Sequence, residues 1–261
     1  MPPAIPKPAA TVMLVRDESD GVEVFLMERS LAGDFGGLTV FPGGKLDPAD
    51  ASPSLASVCA EPADEQANSQ LGLSSGARAY FVACIRECFE EAGLLLAYGR
   101  DGQLLRLAEP RIRGRFIAYR QRLNSGDTDA FEEMCREEGL RLATDRLAYV
   151  AHWITPVDQP RRYDTRFFVA RAPDRQEAVH DGHEAVHSHW LRPEDALARH
   201  RAGELMLISP TMKNLESLCG HRRADDLLAA KAALDPAAIP TILPRLIETG
   251  QGIDEVLEIL G

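Results

Sequence analysis

Residues 79–96 constrain the fold of this chain most, because their apolar and acidic positions repeat with the period of a helix. At about 100° per residue, Glu87, Glu90 and Glu91 fall on one face of that helix. The opposite face is apolar and consists of Ile85, Phe89, Ala92 and Leu96. The pattern predicts a helix that packs one side against a core and presents three carboxylates on the other side.

Three neighbouring carboxylates repel one another, at roughly 0.2–0.5 kcal/mol per pair in an isolated helix. Hard oxygen ligands of this kind suit Mg²⁺ or Mn²⁺, and a solvated acidic face is the alternative. Upstream, Gly43 and Gly44 follow Phe41-Pro42. Glycines there let backbone carbonyls approach a bound ion closely, although a plain tight turn has the same composition.

Together, the two segments resemble the Nudix box, whose pattern is Gly, five residues, Glu, seven residues, then Arg-Glu-apolar-x-Glu-Glu-x-Gly-apolar. The residues that match its second half are Arg86, Glu87, Cys88, Glu90, Glu91, Gly93 and Leu94. Two departures stand out. Asp50 occupies the first Glu position, and 35 residues separate it from Arg86 where the box has seven. Glu61 or Glu65 could therefore substitute for Asp50.

An interrupted box of this kind resembles the coenzyme A diphosphatase branch of the Nudix superfamily. Further resemblance to that branch lies at 25–50, 153–156 and 160–168, and in the spacing of Glu184, Trp190 and Pro193. The branch implies one Nudix domain over 1–261, an α/β/α sandwich around a mixed β-sheet with extra helices in the middle and at the C-terminus. We expect a loose arm at 1–10, an insertion at 51–78 and a helical addition at 205–261.

The resemblance also implies roles for individual residues. Gly44 and the three glutamates Glu87, Glu90 and Glu91 would hold Mg²⁺ or Mn²⁺, with Glu87 and Glu91 central to catalysis. Arg86 would orient these carboxylates through salt bridges. Glu184 is the candidate general base, whereas its neighbours His183 and His187 are more typical of ordinary loop or strand positions.

Arginines are the best candidates for binding the substrate, because a guanidinium matches phosphate oxygens. We expect Arg29, Arg161 and Arg162 in this role, although a solvated turn before a strand would also explain the last two. The insertion at 51–78 must begin and end beside the predicted metal site. It is therefore expected to form one wall for the group attached to the diphosphate, and a tolerated surface loop is the alternative.

Composition excludes several classes of function. The net charge of −11 argues against a long nucleic-acid surface, and no apolar run reaches the ~20 residues of a membrane span. Five cysteines without a Cys-x-x-Cys pair favour a soluble protein of the reducing cytoplasm. The expected partner is a small nucleotide-type molecule, and a homodimer is left open.

Three functions are compatible with these residues. The first is hydrolysis of coenzyme A or acyl-coenzyme A to 3′,5′-ADP and a phosphopantetheine. The second is hydrolysis of ADP-ribose, a nucleotide sugar or a dinucleotide at the same metal site. The third is a non-catalytic nucleotide-binding Nudix module, which the intact glutamates Glu87, Glu90 and Glu91 argue against.

Periodicity and turn residues predict the remaining elements. The predicted strands are 11–15, 22–27, 147–154, 166–171 and 187–191. The predicted helices are 112–123, 131–135, 193–199, 210–218, 225–234 and 254–260.

Overall fold

A computed structural model describes residues 3–31, 36–179, 185–249 and 252–260 of the chain. Within these ranges there are eleven strands and eight α-helices. The strands are β1 (Lys7–Glu18), β2 (Gly21–Arg29), β3 (Thr39–Val40), β4 (Gly43–Lys45), β5 (Ala97–Tyr98), β6 (Arg141–Leu142), β7 (Ala148–Ile154), β8 (Tyr163–Arg171), β9 (Ala185–Leu191), β10 (Thr241–Thr249) and β11 (Gly252–Leu260). The helices are α1 (Pro53–Ser57), α2 (Asp64–Leu71), α3 (Arg78–Ala92), α4 (Pro110–Asn124), α5 (Ala130–Glu138), α6 (Pro193–Arg201), α7 (Ser209–Leu218) and α8 (Ala224–Ala232).

The first strand, β1, lies in the interior of the main sheet. It pairs antiparallel with β2 through the predicted hairpin and parallel with β8, from Lys7 opposite Tyr163 to Val15 opposite Arg171. The strand order is β11-β10-β7-β8-β1-β2-β3, with β4 added on β1 and β9 on β2. Residues 12–15 of β1 are fully buried, so the sheet is covered on both faces.

Helices cover the sheet from two sides. On one face α3 packs against the sheet, where the ring of Phe81 lies 4.9 Å from that of Phe168, and α4 and α5 pack behind α3. On the other face α6, α7 and α8 bury Ala196, Leu215 and Leu227 against the opposite side chains of β1 and β8. This arrangement confirms the predicted α/β/α sandwich around a mixed sheet.

Two expectations at the ends of the chain are wrong. The arm at 1–10 is not loose throughout, because β1 begins at Lys7, whose N–H donates to the carbonyl of Arg162. The addition at 205–261 is α-helical only as far as Ala232, and 254–260 belongs to a strand, β11. The apolar positions of this seven-residue segment fit either a helix or a strand, and its pairing with β10 makes it a strand.

The insertion at 51–78 folds into α1 and α2, which lie beside α3. Its apolar residues Leu55, Ala67 and Leu71 are buried in the same core as the inner face of α3. The segment therefore contributes to the core as well as to the surface. Among the described residues, no helix has the length and apolar character needed to cross a membrane.

Candidate active site

The three glutamates lie in the last two turns of α3. The side chains of Glu87, Glu90 and Glu91 are 14%, 20% and 7% exposed. Carboxylates near the C-terminus of a helix are disfavoured by its dipole, and these also repel one another. Because the helix itself opposes this cluster, groups outside α3 must stabilise it.

The buried guanidinium of Arg86 is one such group. Its Nε and Nη2 donate to the two carboxylate oxygens of Asp50, at 2.7 and 2.8 Å. Its Nη1 donates to Glu87 at 2.9 Å and to Glu90 at 3.2 Å, and Nη2 also donates to the carbonyl of Lys45. Although burial lowers the pKa of Arg86, the surrounding carboxylates raise it above its ordinary value. Arg86 thus orients the cluster, as predicted.

Asp50, which stands where the box pattern has Glu, binds Arg86 through its carboxylate. Its side chain is fully buried, and besides binding Arg86 it accepts a hydrogen bond from the N–H of Asp47 at 2.7 Å. The second bond closes a capped 3-10 turn over Pro48–Ala51. The shorter carboxylate therefore fixes Arg86 across the interrupted box.

The loop that carries Gly43 and Gly44, here called the glycine loop, contacts the glutamate cluster from the side of the sheet. The N–H of Gly43 donates to Glu91 Oε2 at 2.8 Å. A Cβ atom on Gly44 would lie 2.6 Å from the carboxyl carbon and both oxygens of Glu87. Only a residue without a side chain permits this approach. β4 carries both glycines and is held by pairing with Ala9–Thr11 of β1, which fixes the loop against α3.

Two residues terminate α3 next to its acidic turn. Gly93 adopts a left-handed conformation, with φ of 70°, and its N–H donates to the carbonyl of Phe89. Arg120 of α4 donates from Nε to the carbonyl of Glu90 and from Nη2 to that of Glu91, at 2.9 and 2.8 Å. A cation at this end of the helix offsets the negative charge there.

A cavity of about 910 Å³ opens beside the cluster. Its polar part includes Arg29, Gly44, Lys45 and Glu87. Its apolar walls include Phe41, Trp153, Phe167, Leu207, Met212 and Leu246. No residue of 51–78 lines this cavity, so the insertion does not form the wall that we expected. Glu61 and Glu65 are exposed and also lie outside the lining.

Comparison with known proteins identifies the family. The family model described as the NUDT19 Nudix domain matches residues 64–218. The chain belongs to this Nudix family. The acyl-coenzyme A diphosphatase NUDT19 of Gallus gallus is 30% identical over 243 residues, covering 78% of this chain. The protein of the same name from Xenopus laevis is 25% identical and covers 81% of this chain. The chain spans 62% and 63% of the length of these two relatives.

A solved Nudix structure agrees with this assignment. The NUDIX hydrolase from Alicyclobacillus acidocaldarius is 27% identical, with a TM-score of 0.69. The match covers 87% of this chain and 96% of that chain. The Nudix fold therefore extends well beyond the segment that the family model matches.

Nudix hydrolases generally use divalent metals, and the donors present here fit such an ion. Glu87, Glu90 and Glu91 offer only oxygen, and Gly44 leaves room for the carboxylate of Glu87. The pKa of Glu87 is raised to about 7, first by burial, with the carboxylates of Glu90 and Asp50 adding to the effect and Arg86 opposing it. A nearby cation would stabilise its charged form.

In the described ranges, no three Asp, Glu, His or Cys side chains already surround a common point suited to a metal. Glu87 and Glu90 bond to Arg86, and Glu91 bonds to the Gly43 N–H.

The other predicted site residues lie in different places. Arg29 lines the cavity, and its Nη1 lies 3.8 Å from Glu91 Oε1. Arg162 is buried and donates to the carbonyls of Thr155 and Ala4, which favours a role in joining two segments over direct phosphate binding. Arg161 is exposed and is not part of the cavity lining. Glu184 and His183 lie outside the described residues.

Sequence reasoning missed two parts of the site. Arg120 belongs to a different helix from the glutamates, and no local pattern connects it with them. The cavity wall formed by β10 and β11 was assigned to a helix. For that wall a signal existed, because Gly250 and Gly252 separate two apolar runs in the way typical of a hairpin.

Proposed function

We propose that this chain hydrolyses the diphosphate linkage of coenzyme A or an acyl-coenzyme A, with Mg²⁺ or Mn²⁺ bound at α3. The observation that supports this most is the position of the glutamate cluster at a cavity with both a charged part and long apolar walls. The names of the Gallus gallus and Xenopus laevis relatives support the same activity. The cavity volume, about 910 Å³, is near the upper end of the ~300–1,000 Å³ common for ligand sites.

In this proposal Glu87, Glu90 and Glu91 hold the cation. A bound divalent cation supplies positive charge that polarises a phosphoryl oxygen and lowers the pKa of water. Arg29 lines the polar part of the cavity and would donate to phosphate oxygens. Arg86 keeps the carboxylates in place and does not contact the substrate. On the sequence alone, we propose Glu184 as the general base.

The apolar walls favour a coenzyme A thioester over ADP-ribose or a nucleotide sugar. A sugar presents hydroxyl groups, which lose hydrogen bonds to water when they are placed against Trp153, Phe167 or Met212. A pantetheine arm carries two amides and a hydroxyl as well as methyl and methylene groups, but its acyl group presents only methylene and methyl groups beyond the thioester, and their burial is favourable. We also propose a reducing, cytoplasmic location, which the five free cysteines support.

The proposal is tested with a panel of diphosphates in Mg²⁺, with products separated by chromatography. The panel contains coenzyme A, acetyl- and octanoyl-coenzyme A, ADP-ribose, a nucleotide sugar and a dinucleotide. We expect 3′,5′-ADP and the corresponding phosphopantetheine as products, formed at least tenfold more slowly by Glu91→Gln. Faster cleavage of ADP-ribose than of every coenzyme A compound would reject the proposed substrate. Tight binding without cleavage of any compound would indicate a non-catalytic module.

A further inference from the structure

The wall of the cavity farthest along the sheet from the glutamates is a β-hairpin, β10 and β11. Pro244 and Leu246 of β10 and Glu255 of β11 line the cavity. Leu246 lies directly opposite Glu255 in the hairpin register, so the two side chains share one face. Arg245, between the two β10 residues, points to the other face, where it pairs with Glu258 at 2.8 Å.

Two contacts hold the hairpin over the cavity. At its base, β10 pairs with β7 through Thr241 opposite His152 and Ile242 opposite Trp153. Farther along, the hydroxyl of Ser209, the first residue of α7, donates to the carboxylate of Glu255. Because one contact belongs to each strand, the face that carries Pro244, Leu246 and Glu255 is held at the cavity.

The position of the hairpin gives its distance from the reacting diphosphate. Gly43 and Gly44 pair with β1, and β8 and β7 separate β1 from β10. From β4, which carries the two glycines, to the base of β10 there are four strand spacings, which amount to roughly 19 Å. An extended pantetheine arm, at the roughly 1.2 Å per backbone bond implied by standard geometry, spans roughly 15 Å. A diphosphate held at Glu87 therefore places the sulfur of coenzyme A short of this wall. An octanoyl group on that sulfur extends roughly 10 Å farther at the same length per bond and reaches the wall.

We infer that Pro244 and Leu246 bind the acyl end of the substrate, and that the hairpin sets the preference for acyl chain length. This inference rests on the proposed function, because it takes the substrate to be a coenzyme A compound. The hairpin is thus a specificity-determining element that lies at a distance from the Nudix box.

The test compares Leu246→Ala and Leu246→Trp with the matched control Arg245→Ala. Arg245 neighbours Leu246 in the same strand, and its side chain is 62% exposed on the opposite face. For each protein, calorimetry gives Kd for coenzyme A and for octanoyl-coenzyme A, and product assays give kcat/KM for both. Circular dichroism checks that each variant is folded.

We expect the preference for octanoyl-coenzyme A over coenzyme A to fall by about tenfold in both Leu246 variants. Leu246→Ala removes a contact with the acyl chain, and Leu246→Trp fills the space that the chain would occupy. Arg245→Ala should keep the wild-type ratio. Unchanged ratios in both Leu246 variants would overturn the inference. If wild-type protein binds octanoyl-coenzyme A without cleaving it, the proposed function fails while the Kd ratios still decide the role of the hairpin. If it binds neither compound, both proposals fail.

Discussion

Gly44→Ala tests the contact on which the geometry of the site depends. The new Cβ would lie 2.6 Å from three atoms of the Glu87 carboxyl group. Ordinary contacts of carbon atoms lie at about 3.5–4.0 Å, so the carboxylate must move by roughly 1 Å. The carboxylate is the mobile end of a long side chain, and the backbone of Gly44 does not require a positive φ. The strain should therefore be relieved by movement of Glu87 and not by unfolding.

The effect of Gly44→Ala on activity and its effect on stability should differ in size. Displacing a catalytic group by 1 Å can reduce the rate by roughly 10²-fold, which corresponds to about 2.7 kcal/mol of activation free energy. The melting temperature should change little, because no backbone contact is lost. We therefore expect Gly44→Ala to lower kcat about 100-fold at saturating Mg²⁺, measured by product chromatography. Scanning calorimetry should give a melting temperature close to that of the wild type.

Gly114→Ala is the matched control for this variant. Gly114 is an exposed residue within α4, and a Cβ there meets no atom within 4 Å. The substitution should leave kcat unchanged and stabilise the protein by about 0.5–1 kcal/mol. Wild-type kcat in Gly44→Ala would refute the reasoning, since Glu87 would then tolerate displacement. A large fall in melting temperature would also refute it, since the new Cβ would then displace the backbone and not only the side chain of Glu87.

Three further predictions concern the carboxylates. Glu91→Gln should lower kcat at least tenfold, about 1.4 kcal/mol of barrier, with an unchanged circular dichroism spectrum; a smaller loss would exclude a central role in cation binding. EDTA should abolish hydrolysis and added Mg²⁺ or Mn²⁺ should restore it, whereas full activity in metal-free protein would contradict the proposed chemistry. Asp50→Ala leaves Arg86 buried without its bidentate partner, so urea denaturation should show a loss of about 3–5 kcal/mol in unfolding free energy. The exposed control Glu65→Ala should stay within about 0.5 kcal/mol, and a similarly small loss in Asp50→Ala would contradict the assigned role.

The sequence predicts best where the signal is local. The helical period of α3 places its apolar residues in the core and leaves Glu87 and Glu90 on its more accessible side, as observed. The roles of Glu87, Glu90 and Glu91 as cation ligands remain predictions that the variants above test. The family resemblance implied that Arg86 binds the neighbouring carboxylates, and its hydrogen bonds to Glu87 and Glu90 confirm this.

Prediction failed where contacts between distant segments decide the structure. Asp50 reaches Arg86 only because the insertion folds back as α1 and α2, and no periodicity encodes that return. The segment 254–260 satisfies the spacing of a helix, yet hydrogen bonds to β10 make it a strand. The wall of the cavity was missed together with that strand, although Gly250 and Gly252 are a local signal for the hairpin.

The central position of β1 has a consequence for how the chain folds during synthesis. Its parallel partner β8 lies about 150 residues later in the sequence, and such distant pairing slows folding. During synthesis β1 and β2 can form a local hairpin before β8 leaves the ribosome, so that one edge of β1 remains unpaired. Such unpaired edges and uncovered apolar faces are prone to aggregate. The glycine loop that supports Glu87 is itself carried by β1. Catalytic competence should therefore be acquired late, after β8 has left the ribosome.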